Sequence, residues 1–266
     1  MSSQTIKLSA LSTREFWEID VVHEDEHLLA LSKPARLLTS PDRYDPNRPN
    51  LMRLLHDGIT EAKPWAASRG LTYLSNAHRL DFETTGVLLM AKSKPVLVQL
   101  ANLFGENRTR KTYSALTAGC PAEDRFVVDV PLGPHPAQLG LMRMDPKNGK
   151  QSRTEFQVIE RFQRHSWIKC RPITGRTHQI RVHLQRAGYP ICGDAMYGGD
   201  PLLLSRLKRR YEVKEGRTER PLIQTVALHA EELSFDHPVT GIEVNITAAW
   251  PKDLTVALKY LRRHSS

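Results

Sequence analysis

Several things are missing from this 266-residue sequence, and each absence removes a class of function. No apolar run approaches the about 20 residues that span a bilayer. The longest near the middle, Val87-Leu88-Leu89-Met90-Ala91, has the length of a strand. Met1 is not followed by a charged, then apolar, then small-residue leader, so a soluble cytoplasmic protein is expected. Cysteine is scarce: Cys120, Cys170 and Cys192 are an odd count without a Cys-x-x-Cys pair. That suits a reducing compartment and small buried side chains better than disulfides or a zinc site. There is no dinucleotide-binding GxGxxG, no P-loop, no GxSxG elbow and no cluster at metal-ligand spacing, so no cofactor and no metal are expected. Nor does a helix-turn-helix or zinc-finger pattern support a DNA-binding regulator.

What is present is positive charge. The sequence has 38 Lys and Arg against 29 Asp and Glu, a net charge of +9. A basic surface raises encounter rates with phosphates, although composition alone fits a charge that merely aids solubility equally well. With 40% hydrophobic residues the chain can build a sizeable core.

Residues 1–20 are mostly polar without a clear period and read as an arm or extended lead-in. Residues 21–266 read as one domain, and the lead-in is too short for an additional N-terminal RNA-binding module. Residues 27–32 read as a buried strand stopped by Lys33-Pro34, and residues 86–92 as a second. Residues 36–63 read as loop with a short helix around 51–55. Leu97, Leu100, Ala101 and Phe104 stand at i, i+3, i+4 and i+7, the stripe of an amphipathic helix. Residues 111–117 alternate as a strand, and residues 131–150, rich in Pro and Gly, read as a long loop. Two strands over 153–161 and 166–171 precede a helix over 176–187, with Ile180, His183, Leu184 and Ala187 inward and His178, Arg181 and Gln185 on another face. A hairpin over 228–235 and 242–248 and a helix over 252–263 close the chain. Strands and helices mix without βαβ alternation, so the expected class is α+β with a mixed, mostly antiparallel sheet.

Two segments carry chemistry. Asn76-Ala77-His78-Arg79-Leu80-Asp81 sets a carboxylate just before a core strand, on a rigidly supported loop. In isolation such an Asp is more often a turn cap, bonding Thr84 or Thr85, with Arg79 a surface charge. Pro172 to His183 gathers two Arg and two His at a helix start, where free N–H groups attract phosphate or carboxylate. His178 and His183 are five apart and share no helix face, so they are not a zinc pair.

Together these segments resemble the RluA-type RNA pseudouridine synthases. His78-Arg79-Leu80-Asp81-Phe82-Glu83-Thr84-Thr85-Gly86 resembles the family's signature around its catalytic Asp. Lys111-Thr112-Tyr113-Ser114-Ala115 resembles its Lys-x-Tyr-x-Ala strand, and Gly175-Arg176-Thr177-His178-Gln179-Ile180-Arg181-Val182-His183 its helix start. Leu31-Ser32-Lys33-Pro34 and Gly193-Asp194-Ala195-Met196-Tyr197-Gly198 match an opening strand and a later turn. The resemblance runs from about residue 25 to the late hairpin. Arg36 stands where the family usually has Gly, and Thr85 where it usually has Ser; neither changes a group expected to do chemistry.

The resemblance implies a pseudouridine synthase fold, a bent sheet flanked by helices with a central catalytic cleft. It implies an isomerase acting on structured ribosomal or transfer RNA, without cofactor or obligate protein partner and away from membranes. Asp81 would act on the ribose, as a nucleophile at C1′ or a base at C2′. Both routes need it ionised, which in a buried site calls for a compensating cation, and the family's candidate is Arg181. Tyr113 would stack on the target uracil. Arg79 would fill the space left by a flipped nucleotide, and Lys111 and Arg176 would contact phosphates. Arg206, Lys208, Arg209 and Arg210 are as readily solvated surface as phosphate contacts. The alternative is a catalytically silent RNA-binding protein on the same scaffold.

Overall fold

The computed structural model describes residues 5–10, 12–42, 45–208, 211, 213 and 216–265. In chain order the elements begin with β1 (Thr5–Ala10), β2 (Glu15–Glu24), β3 (Leu28–Lys33), α1 (Leu51–Thr60) and α2 (Pro64–Ala67). They continue with β4 (Ser75–Asn76), β5 (Thr85–Ala91), α3 (Lys94–Gly105), β6 (Arg110–Ala118), β7 (Arg125–Asp129), β8 (Leu132–Pro134) and β9 (Met142–Met144). After β10 (Arg153–Arg161) and β11 (His165–Pro172) come α4 (Gln179–Arg186), a 3₁₀ turn (Ala195–Tyr197) and α5 (Leu204–Leu207). The chain closes with β12 (Leu228–Asp236), β13 (Glu243–Thr247) and α6 (Lys252–His264). The α+β expectation holds, with antiparallel ladders throughout the registered hairpins.

The chain divides into two compact units, Met1–Arg110 with Ala230–Ala249, and Lys111–His229 with Trp250–Ser266. In the first, the apolar run of β5 is buried on both faces and pairs with β3 from Leu28↔Ala91 to Lys33↔Gly86. Gly86 is required at this point: its φ is +112° and an added Cβ would stand 2.1 Å from the carbonyl oxygen of Ala230. Helix α3 buries Val96, Leu100 and Leu103 against this sheet, while Leu97 and Phe104 are half-buried and Ala101 is exposed. The buried stripe is therefore rotated from the expected one; the helix begins after Ser93, with Pro95 in its first turn.

The expected lead-in arm is a hairpin. β1 and β2 pair from Thr5↔Asp20 to Ala10↔Glu15, and Ile6, Leu8, Ala10 and Ile19 are buried. Alternation in Thr5-Ile6-Lys7-Leu8-Ser9-Ala10 is the period-two signal that the polar composition of the segment obscured. Helix α1 is also longer than expected, running to Thr60 behind Asn50, whose side chain accepts from the Arg53 amide as an N-cap.

In the second unit β6, β11, β10 and β7 lie side by side and antiparallel. One face presents Ala115, Ile168, Cys170 and Phe156 to a core completed by Ile180 and Leu184 of α4 and by Leu254, Ala257, Leu258 and Leu261 of α6. Each fully buried Leu of this kind contributes about 1.5–3 kcal/mol. The expected long loop over residues 131–150 contains the small hairpin β8–β9, paired Leu132↔Met144 to Pro134↔Met142. Its prolines lie at the ends of the short strands and outside them, where no ladder hydrogen bond needs an amide.

Candidate active site

Asp81 lies in the first unit on the loop between β4 and β5, and the backbone of that loop is held from several sides. The Thr39 hydroxyl donates to the Leu80 carbonyl at 3.0 Å and accepts from the Leu80 amide at 3.2 Å. The Arg36 amide donates to the Phe82 carbonyl at 2.8 Å, and the Arg48 guanidinium lies 4.2 Å over the Phe82 ring. On the other side His78 accepts the Leu89 amide at 3.0 Å through Nε2 and stacks on Phe104. The turn closes through backbone, with the Thr84 amide donating to the Asp81 carbonyl at 3.2 Å. Arg36, where a Gly would be usual, itself sits at φ +59°, in the left-handed region that Gly adopts more readily, so the exchange does not by itself require a different turn here.

Beneath the loop Lys33 is fully buried, although it reads in sequence as the stop of a strand. Its Nζ donates to the carbonyls of Pro34 and Leu37 at 2.7 Å each and of Phe82 at 3.4 Å. Burial pulls the ammonium down to about 7, and the negative charge of Asp81 acts against that fall. Lys33 is thus a cation within the field of Asp81, and sequence reasoning assigned it no role. Arg79 is exposed on the same loop.

The other expected residues lie in the second unit. Tyr113 is half-buried on β6 opposite Cys170, packed against the core. Lys111, two residues earlier and half-buried, has its pKa lowered by burial. Arg176 is exposed, and its Nε donates to the Gln151 carbonyl at 3.2 Å. Helix α4 begins at Gln179, three residues later than expected, because Gln179 Oε1 accepts from the Arg176 amide (3.0 Å) and the Thr174 hydroxyl (2.7 Å) and folds the preceding turn back on itself. His178 precedes the helix at φ +54°.

Arg181 is no solvated helix charge: it is 6% exposed. Nε and Nη2 donate to the two carboxylate oxygens of Asp194 at 2.6 and 2.8 Å, a bidentate pair. The guanidinium lies 4.8 Å over the Tyr197 ring, and Nη2 also approaches Met196 Sδ at 3.4 Å. The Tyr197 hydroxyl accepts the Met142 amide at 3.0 Å and meets His178 Nδ1 at 2.7 Å. Asp194 and Tyr197 belong to the Gly193–Gly198 motif, which the sequence marked without giving either residue a task. His183, expected inward, is fully buried between Ser152 Oγ and Thr154 Oγ1 at 2.9 Å each, and burial pushes it down to about 4, so it is a neutral structural histidine.

No group of three or more His, Cys, Asp or Glu placed to hold a metal ion occurs among the described residues, and no helix there is long and apolar enough to cross a membrane. Of the basic stretch, Arg206 pairs with Asp200 at 2.9 Å, while Arg209 and Arg210 lie outside the described residues.

Residues 27–186 match the family model for RNA pseudouridylate synthase. The chain is 33% identical over 267 residues to ribosomal large subunit pseudouridine synthase D of Vibrio vulnificus, across 96% of this chain and 76% of that protein. It is 32% identical over 247 residues to an RNA pseudouridine synthase of Synechocystis sp., across 92% and 69%. Among solved structures, human RNA pseudouridylate synthase domain containing 4 matches with a TM-score of 0.67 at 25% identity, over 91% of this chain and 92% of that one. The matched span holds the Asp81 loop, the Tyr113 strand and the Arg181 helix, and the chain belongs to the RNA pseudouridylate synthase family, in its RluA-type branch, as an isomerase.

Proposed function

We propose that the protein converts specific uridines of structured ribosomal or transfer RNA to pseudouridine, with Asp81 as the catalytic carboxylate. The name of the Vibrio relative favours large-subunit ribosomal RNA as the substrate. The reaction breaks N1–C1′, turns the uracil, forms C5–C1′, and passes the C5 hydrogen to water while N1 regains a proton. The observation that carries the reading is the framing of Asp81. Thr39, Arg36, Lys33 and His78 fix the loop around it, as a group that must meet one ribose carbon requires.

Asp81 acts ionised, at C1′ or at C2′. Lys33 sets a buried amine within the field of Asp81, and Arg181, held flat by Asp194, is the family's candidate for orienting the carboxylate. Tyr113 offers a ring face to the extruded uracil. A uridine cannot present C1′ and C5 while stacked, so it is flipped out at a cost of a few kcal/mol. Arg79, exposed beside Asp81, enters the vacated space, and Lys111 and Arg176 contact phosphates.

Release of tritium from C5-labelled RNA tests the assignment. Wild type should release label in the presence of chelator and without added cofactor. Asp81→Asn, nearly isosteric but uncharged, should stay folded, bind RNA comparably and release essentially none. Substantial release by Asp81→Asn sinks the mechanism. No release by folded wild type on total RNA favours a silent binder.

A further inference from the structure

The mechanism gives Arg181 a task but leaves the residues stacked against it without one. Tyr197 is 2% exposed, and it touches three separate pieces of the second unit. Its ring lies under the Arg181 guanidinium, 4.8 Å from Cζ. Its hydroxyl accepts the amide of Met142 on β9 at 3.0 Å. The same hydroxyl meets His178 Nδ1 at 2.7 Å, with the two rings edge to face. Leu132 of β8 and Val182 of α4 complete the small apolar cluster around it, with Leu141 and Met142 at its margin.

The Tyr197 oxygen accepts the Met142 N–H and shares a second hydrogen bond with His178 Nδ1, whose direction follows the histidine tautomer. The histidine keeps its backbone at φ +54°, a left-handed conformation uncommon for residues other than Gly, though less so for His, and costing about 1–3 kcal/mol. Strain of this kind persists only where surrounding contacts enforce it. Here the enforcing contacts are the Tyr197 hydroxyl on one side and the Gln179-closed turn on the other.

We propose that Tyr197 is a positioning residue for the isomerisation. Its ring sets the plane of Arg181, and its hydroxyl ties that plane to the β8–β9 hairpin and to His178. The hairpin segment bears Arg143, Lys147 and Lys150 against Asp145, a surplus suited to an RNA backbone. RNA that shifts the hairpin moves the Met142 amide, and the hydroxyl passes that shift to His178 and Arg181. Asp194 grips the edge of the guanidinium and Tyr197 supports its face, so the two restrain different motions of one group. This rests on the role given above to Arg181.

Tyr197→Phe keeps the ring, the core and the cation–π face and removes only the hydroxyl. The variant should stay folded, with a thermal midpoint lowered by a few degrees and RNA affinity near wild type, while the single-turnover rate of tritium release, read well below that midpoint, falls about tenfold or more. A conservative exchange supplies the second arm. His178→Asn tolerates the left-handed backbone and keeps a short polar partner for the hydroxyl, so it should retain several-fold more rate than His178→Ala when both are assayed folded. A Tyr197→Phe rate within twofold of wild type overturns the proposal, as does equal loss in His178→Asn and His178→Ala. Asp81→Asn, run beside them, separates the two claims. If it is inactive and Tyr197→Phe is normal, only the positioning role fails; if it is active, the assignment of the catalytic carboxylate fails.

Discussion

Arg181 and Asp194 meet edge to edge, Nε at 2.6 Å from one carboxylate oxygen and Nη2 at 2.8 Å from the other, and both side chains are almost wholly buried. The pair is neutral as a unit, and two of the five guanidinium N–H groups are committed to it. Arg181 therefore carries a fixed direction rather than a mobile charge. Within the first unit, the buried amine of Lys33 feels the negative charge of Asp81.

The first consequence is that Arg181 and Asp194 fail together. Arg181→Lys keeps the charge but loses the planar fork, and turnover should drop about 100-fold or more. Asp194→Asn should lose turnover comparably with RNA affinity retained. Combined, the two changes should cost much less than the sum of their effects, with a coupling of about 1–3 kcal/mol in a double-mutant cycle. Additive losses, with circular dichroism confirming folded variants, would separate Asp194 from the function of Arg181.

Lys33 makes stability depend on pH with a definite sign. Its pKa is about 7 in the folded protein against an unfolded value near 10. Between these values the unfolded chain binds more protons, so this residue's contribution to stability rises with pH across that window and its penalty is complete below pH 7. Urea unfolding at pH 7 and at pH 9 should show wild type gaining stability relative to Lys33→Met. A constant difference, or one moving the other way, would mean the buried ammonium keeps its ordinary affinity for the proton.

Arg79 distinguishes base extrusion from simple backbone contact. If its side chain fills the gap left by the uridine, Arg79→Ala should impair a structured RNA more than an unstructured oligonucleotide, by about tenfold, or ~1.4 kcal/mol. Equal losses in kcat/KM on the two substrates would make it a phosphate contact.

Much of this was legible in the residues. The apolar runs of β3 and β5, the late hairpin and the closing helix α6 were read where they stand. Asp81 was readable only through its motif, since one carboxylate before a strand has a commoner role as a cap. The strand does stop at Lys33, but its burial was not legible, because a lysine ending an apolar run normally marks where the strand meets solvent; here three carbonyls surround its tip. The β1–β2 hairpin escaped because its alternation is short and its outward residues are polar. Asp194 escaped because the bidentate pair joins it to a residue 13 positions earlier, across a turn and a strand-like segment that no periodicity links.

The division of the chain also orders its synthesis. The first unit takes Leu233, Phe235, Ile246 and Ala248 into its core, and the second takes Leu254, Ala257, Leu258 and Leu261 from α6. A nascent chain that has passed residue 229 still has neither core complete, although most strands have already been made. It then finishes the first unit over residues 230–249 and the second over the few that follow. Each apolar core therefore stays open until residues well past 229 have been added, which leaves the faces of β5 and β11 available to chaperones or to aggregation.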